Sequence, residues 1–330
     1  MNYNKLTAEK KTYKYTIRKE KNKGWRNFCE SIDSNMSVSE LWKVIKCFKG
    51  NFSQSLAGFR ECVDSFCKNL AGPVGPVYLI TPRPYDSNHL LLSPFLFEEL
   101  EKAIFSSKNS SPGLDGLRNE HLKSLNIDNK QKLLQFFNDV LRTGNIPMCW
   151  FNYKIMPLKK KEGISTLASG YRSIAMASSL RKLFERMICS RLDWFIESNR
   201  RLSDSQAGFR RSKSTSDNVI ALWTAVNLAF AKKETLVAVF IDIKSAFDNV
   251  NIGLLSARLK LIGAPNNFCD LIFNLFFYKN LFVESENGLI NVTSFTGVPQ
   301  GCVLSPICFN IYIDEIFKGL PSNVHVLGYA

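Results

Sequence analysis

Residues Val237 to Val250 read VAVFIDIKSAFDNV, and few folds accommodate such a stretch. Five apolar residues, Val237 to Ile241, run straight into Asp242. Such a run reads as a buried central strand that delivers a carboxylate at its C-terminal end. A carboxylate buried there is costly unless it is paired or holds a metal. Lys244, two residues on, is the cation beside it, and Phe247 sets a bulky ring five residues downstream. Taken alone, the stretch reads equally well as a strand ending in a solvated turn, with Phe247 in the core.

A second stretch narrows the choice. Gly297 to Asn310 read GVPQGCVLSPICFN, in which two glycines flank Val-Pro-Gln and let the backbone approach a ligand closely. An apolar helix follows, with Leu304, Ile307, Phe309, Ile311 and Ile313 as buried positions. The pair FIDIKSAFD and GVPQGCVLSP, in this order and at this separation, resembles the palm of a reverse transcriptase, in particular the polymerases of non-LTR (LINE-type) retrotransposons.

The resemblance implies an α/β (α+β) chain. It would hold the fingers and a partial palm of a right-hand polymerase, with helices packed on an incomplete antiparallel palm sheet. The strand at 237–242 would lie central, beside one at 325–330. The implied activity is RNA-directed DNA synthesis, with an RNA template, a DNA primer and dNTPs as partners. Two Mg2+ ions would serve as cofactor. Asp242 would be the catalytic carboxylate and a metal ligand, and the Ile243 carbonyl oxygen would lend a second metal contact. Phe247 would lie under the sugar of the incoming nucleotide and exclude a 2′-hydroxyl. Gln300 and Gly301 would line the nucleotide and template side. Asp248 reads as a cap on the next turn before it reads as a metal ligand. Cys302 reads as packing. A third motif of the family carries two aspartates, and this sequence reads His325 to Ala330, HVLGYA, up to the point where they would come. The expectation is an enzyme by descent, inactive as the chain stands. The alternative is a non-catalytic, nucleic-acid-binding remnant of a retroelement.

Charge supports an acidic polymer as partner. The formal net charge is +14, and residues 151–215 carry 14 Lys and Arg against 5 Asp and Glu. Residues 1–23 are also basic and read as a solvated tail. Nine cysteines without C-x2-C pairs, and no leader peptide, suit a reducing interior, nucleus or cytoplasm. No apolar run reaches membrane length, so no membrane partner is expected. The best run, Phe268 to Tyr278, is interrupted by Asp270 and Asn274.

The remaining motifs fall in order along four regions. Region 1–70 is a basic tail and a short helical part, where Ser37 and Glu40 form a capping-box signature before Leu41, Trp42, Val44, Ile45 and Phe48. Region 71–93, with Pro73, Pro76, Pro82 and Pro84, reads as a linker. Region 94–235 is fingers-like, and 236–330 is the partial palm. Ser93-Pro94 predicts a helix start. The loop SSPGLDGLRNEHLK from Ser110 resembles the family's Pro-Gly-x-Asp-Gly motif and equally suits a plain inter-helix loop. Residues 128–142 predict a helix ended by Gly144.

Lys154 to Leu158 and Gly170 to Ile174 read as two strands around a basic tip. The resemblance assigns Lys160 or its neighbour Lys159, together with Arg172, to the triphosphate. Arg172-Ser173-Ile174-Ala175 departs from the family's usual Arg-Pro-Ile-Ser. Leu180 to Ile196 carry a helical apolar stripe, and Arg181, Lys182, Arg186 and Arg191 read as its phosphate-facing side. Gln206 to Arg210 resemble the family's Gln-x-Gly-Phe-Arg motif, which implies that Arg210, Arg211 and Lys213 meet template phosphates. Two further helices, 252–262 and 266–279, precede a hairpin around Asn287-Gly288.

Overall fold

In a computed structural model, the residues described are 23, 57–71, 80, 89–160, 166–285, 288–321 and 324–329. The 37–48 helix, residues 1–22 of the basic tail, the four linker prolines, Asn287 and Ala330 therefore lie outside the described residues. The chain divides into Met1–Gly58 and Phe59–Ala330, and almost everything described belongs to the second unit.

Helices α1 (Ala57–Arg60) and α2 (Val63–Leu70) come first. Phe59 and Phe66 are buried, and both rings pack edge-on against Tyr171, at 5.0 and 6.5 Å. Residues 59–70 thus belong with the sheet. Within the proline-rich region, Asn274 grips the Ile80 backbone through both its amide groups, and Leu91 and Leu92 are buried.

Helix α3 (Phe97–Phe105) begins later than Ser93-Pro94 predicts. The Ser93 hydroxyl donates to the Leu90 carbonyl, and the Glu99 carboxylate accepts the Leu96 N–H instead. After α4 (Asn119–Lys123), α5 (Ile127–Thr143) starts on an Asn126 cap that accepts from the Asn129 N–H. It ends at Gly144 in the left-handed region, φ 68°.

Strands β1 (Asn152–Lys159) and β2 (Tyr171–Met176) form an antiparallel hairpin. Helix α6 (Ser179–Ser198) then crosses the core. Leu183, Phe184, Met187, Ile188, Leu192 and Ile196 are buried along it, as the stripe requires. Phe184 sits 5.2 Å from the Trp150 ring and 5.5 Å from Phe137. Next come α7 (Thr215–Lys232), α8 (Ile252–Leu261) and α9 (Asn266–Phe277). The hairpin of β3 (Lys279–Ser285) and β4 (Gly288–Ser294) follows, then α10 (Ser305–Ile313) and α11 (Glu315–Lys318). The sheet order is β2-β1-β3-β4, with β1 and β3 parallel and the other pairs antiparallel. No helix among the described residues is long and apolar enough to cross a membrane.

The mixed α/β architecture agrees with expectation, but the central palm strand does not form. Residues 235–243 belong to no strand, and Val237, Val239, Phe240 and Ile241 are each more than three-quarters exposed. A strand is stable only where neighbours complete its backbone hydrogen bonds, and among the described residues none pairs with this one. The segment expected beside it lies elsewhere. Gly328 bridges to Gln206, with its N–H on the Ser205 carbonyl and its carbonyl accepting from the Ala207 N–H.

Candidate functional site

The loop 297–303 is the junction of the molecule. At its start, the Gly297 and Val298 N–H groups donate to the Val250 and Phe247 carbonyls, at 2.8 and 2.9 Å. Gly297 has φ +78°, and a Cβ there would lie 2.6 Å from the Asp248 carbonyl oxygen. In mid-loop, the Gln300 carbonyl accepts from the Ala175 N–H at 2.7 Å, which closes the free edge of β2. Gly301, φ +122°, lies so close that a Cβ would meet the Ala175 carbonyl at 2.6 Å. At its end, the Glu185 carboxylate accepts from the Val303 N–H at 2.8 Å. The two glycines are required because backbone meets backbone at both points.

Phe247 sits in a turn over 244–249, tightened by the Asn249 N–H on the Ser245 carbonyl at 3.0 Å. Its ring stacks on Phe309 of α10, centroids 5.0 Å apart and 15° from parallel. Phe209, from Gln206 to Arg210, meets it edge-on at 6.4 Å. That motif is tied to α10 by Asn310, which accepts from the Gln206 amide and donates to the Gly208 carbonyl.

The β1–β2 register decides between the two candidate lysines. Paired residues of an antiparallel ladder share a face. Leu158 pairs with Arg172 and Met156 with Ile174, and the Lys160 N–H continues the ladder onto the Gly170 carbonyl. Lys160 and Arg172 thus share the face of Ile174, whose methyl group is 3.6 Å from the position of a Gly301 Cβ. Lys159 pairs with Tyr171 on the opposite face. The structure therefore brings Lys160, Arg172, Gln300, Gly301 and Phe247 to one neighbourhood. Asp248 belongs there too. It is more than a third exposed, yet desolvation raises its carboxyl pKa, against the pull of Lys160 and Lys279.

Asp242 and Ile243 stand on the exposed stretch before this turn, outside the sheet. Their carboxylate and carbonyl are hard oxygen donors of the kind magnesium prefers. They make one point of attachment, since among the described residues no three His, Cys, Asp or Glu side chains gather.

The arginines divide differently from expectation. Arg181 is fully buried, paired with Glu185 at 2.6 Å, and donates to the Trp150 and Leu275 carbonyls. Arg191 is buried against Glu99 at 2.6 Å and over the Phe95 ring at 4.4 Å. Arg210 is buried and forks onto Glu197, both contacts 2.8 Å. These three hold the protein together and are not a phosphate-facing surface. A buried guanidinium needs hydrogen-bond partners, and every guanidinium nitrogen of these three donates to a protein acceptor. Arg186 is half-buried on the Ser107 hydroxyl. Arg211 stays exposed beside Asp193, and Lys213 lies over the Asp204 carbonyl. Burial pushes the Cys302 thiol far above its ordinary pKa, which suits packing.

Comparison with known proteins places this geometry. Residues 158–330 match the model of the reverse transcriptase (RNA-dependent DNA polymerase) family. The chain is similar to the probable RNA-directed DNA polymerase from transposon BS of Drosophila melanogaster, 34% identical over 230 residues, which cover 69% of this chain and 25% of that protein. It is similar to the RNA-directed DNA polymerase from mobile element jockey of the same species, 27% identical over 272 residues, 82% of this chain and 29% of the other. It is also similar to the retrovirus-related Pol polyprotein from type-1 retrotransposable element R2 of Popillia japonica, 27% identical over 237 residues, 71% and 32% respectively. The chain thus spans about a quarter to a third of the length of these relatives.

Proposed function

The chain belongs to the reverse transcriptase (RNA-dependent DNA polymerase) family, and from that premise we propose that it supplies the nucleotide-gripping part of a non-LTR retrotransposon polymerase. The observation that carries this reading is the loop 297–303, bonded at one end to the Phe247 turn and in its middle to β2. One loop thereby fixes a flat aromatic floor relative to two cations.

The roles follow from chemistry. Lys160 and Arg172 hold the triphosphate of a dNTP, Lys160 as a point charge and Arg172 as a fork. Phe247, backed by Phe309, forms a floor under the sugar and leaves no room for a 2′-hydroxyl. Gln300 and Gly301 line the base and template side. Asp242 and the Ile243 carbonyl are the residues that would hold magnesium. When bound, that ion supplies charge neutralisation at the transferring phosphoryl group. RNA template and DNA primer are the polymer partners.

Two measurements test this reading. Binding of fluorescent dATP should weaken roughly tenfold or more on Lys160→Ala or Arg172→Ala, the loss expected for one charge-assisted contact. Lys159→Ala, on the opposite face, should leave it within about twofold. Equal losses at Lys159 and Lys160 would remove the register argument. The second measurement is salt dependence of RNA binding. Arg211→Ala and Lys213→Ala should each flatten the slope of log K against log salt by up to about one unit. An unchanged slope would exclude both residues from the interface.

A further inference from the structure

Lys279 opens β3 and is 3% exposed, yet among the described residues no carboxylate is hydrogen-bonded to its ammonium. Its Nζ donates to the Phe276 carbonyl at the end of α9, 2.7 Å, and to the Gly297 carbonyl, 3.1 Å. Gly297 is the residue whose backbone lies against Asp248 with no room for a Cβ. Lys279 therefore fastens the loop at the hinge where it leaves the Phe247 turn. We propose that Lys279 is a positioning residue, a buried lysine that latches the Gly297 end of the loop to α9, so that opening the loop means solvating its amine. That the latched loop shapes a nucleotide pocket rests on the function proposed above.

The surroundings explain why such a latch responds to protons. An ammonium shut away from water is unfavourable without a paired charge. Burial lowers the Lys279 pKa to about 7, helped by the charge of Arg181, while Cys302 and Asp248 act in the other direction. Behind these groups, Glu185 pairs with Arg181, and Lys160 acts on Asp248. With the loop open, the amine returns towards the ordinary lysine value near 10.4. The open state then binds more protons than the closed state between about pH 7 and pH 10, so closure strengthens as pH rises through that window. Below about pH 7 both states are protonated and the dependence vanishes.

Hydrogen–deuterium exchange on the full 330-residue chain tests the latch. Protection of the peptide spanning 297–303, corrected for intrinsic exchange, should rise between pH 7 and 9 by up to about tenfold per unit. In Lys279→Met the same peptide should show no such rise. Should that variant fail to fold, Asp248→Asn serves instead. Removing the carboxylate that favours the ammonium should move the onset to lower pH. A flat wild-type profile, a rise that survives Lys279→Met, or an onset unmoved in Asp248→Asn overturns the proposal. Binding of fluorescent dATP is measured on the same samples. Absence of binding with the exchange profile present overturns the nucleotide reading and leaves the latch standing.

Discussion

Arg181→Ala should lower the stability of the unit Phe59–Ala330 by about 3–5 kcal/mol, the usual result of leaving one partner of a buried ion pair alone. The substitution strands the Glu185 carboxylate in the core and leaves the Trp150 and Leu275 carbonyls without their donor. Arg181 also lies 4.9 Å over the Tyr153 ring, so packing is lost with the charge. Urea unfolding followed by tryptophan fluorescence, to which the buried Trp150 contributes, reports the loss as a lowered midpoint. Replacing both partners, Arg181→Met with Glu185→Leu, should recover much of the loss but not all. Glu185 also accepts the Val303 N–H, and orphaning that amide costs about 1–3 kcal/mol. A midpoint shift for Arg181→Ala no larger than that of the exposed Arg142→Ala would show that the buried pair is not needed.

Asp242→Asn should abolish primer extension, by roughly 10^3-fold or more, in a fusion that adds the remaining length of a relative such as the jockey polymerase. Asparagine keeps the shape of the side chain and removes the charge that a divalent cation requires. The readout is extension of a DNA primer on an RNA template with dNTPs and magnesium. In the same fusion, Phe247→Ala should admit ribonucleotides while DNA synthesis continues, since the role proposed for the ring is steric and involves none of the chemistry. Extension that survives Asp242→Asn would rule out the catalytic role proposed for the residue.

How much of this was legible depended on how local the cause was. The helix 127–143 carries its own cap and its own stop in Asn126 and Gly144, and the structure reproduces it. The β3–β4 hairpin likewise follows from the turn signal at Gly288. The run Val237 to Ile241 looks the same whether paired or not, because strand pairing is decided by distant chain. Arg181 was legible and misread. Arg181, Glu185, Ile188 and Leu192 succeed one another at helical spacing, so Arg181 shares the face of the apolar stripe at its N-terminal end, with its counter-charge one turn on. Lys279 was legible too: it alternates with Leu281 and Val283, both of which point inward. The closure of β2 by Gln300 had no local signal, since it joins residues more than a hundred positions apart.

The stretch before Asp242 has a bearing on how this protein behaves at the bench. Val237 to Ile241 form an uncharged, proline-free run of high strand propensity, and Trp223 and Phe230 of α7 add exposed apolar surface nearby in sequence. Such a run offers unpaired backbone groups to any second copy it meets. A net charge of +14 keeps molecules apart at low ionic strength, and added salt screens that repulsion while leaving the sticky run intact. The run 237–241 should therefore make the isolated chain less soluble in the high-salt buffers that strip nucleic acid from basic proteins, which a turbidity series in rising salt would show.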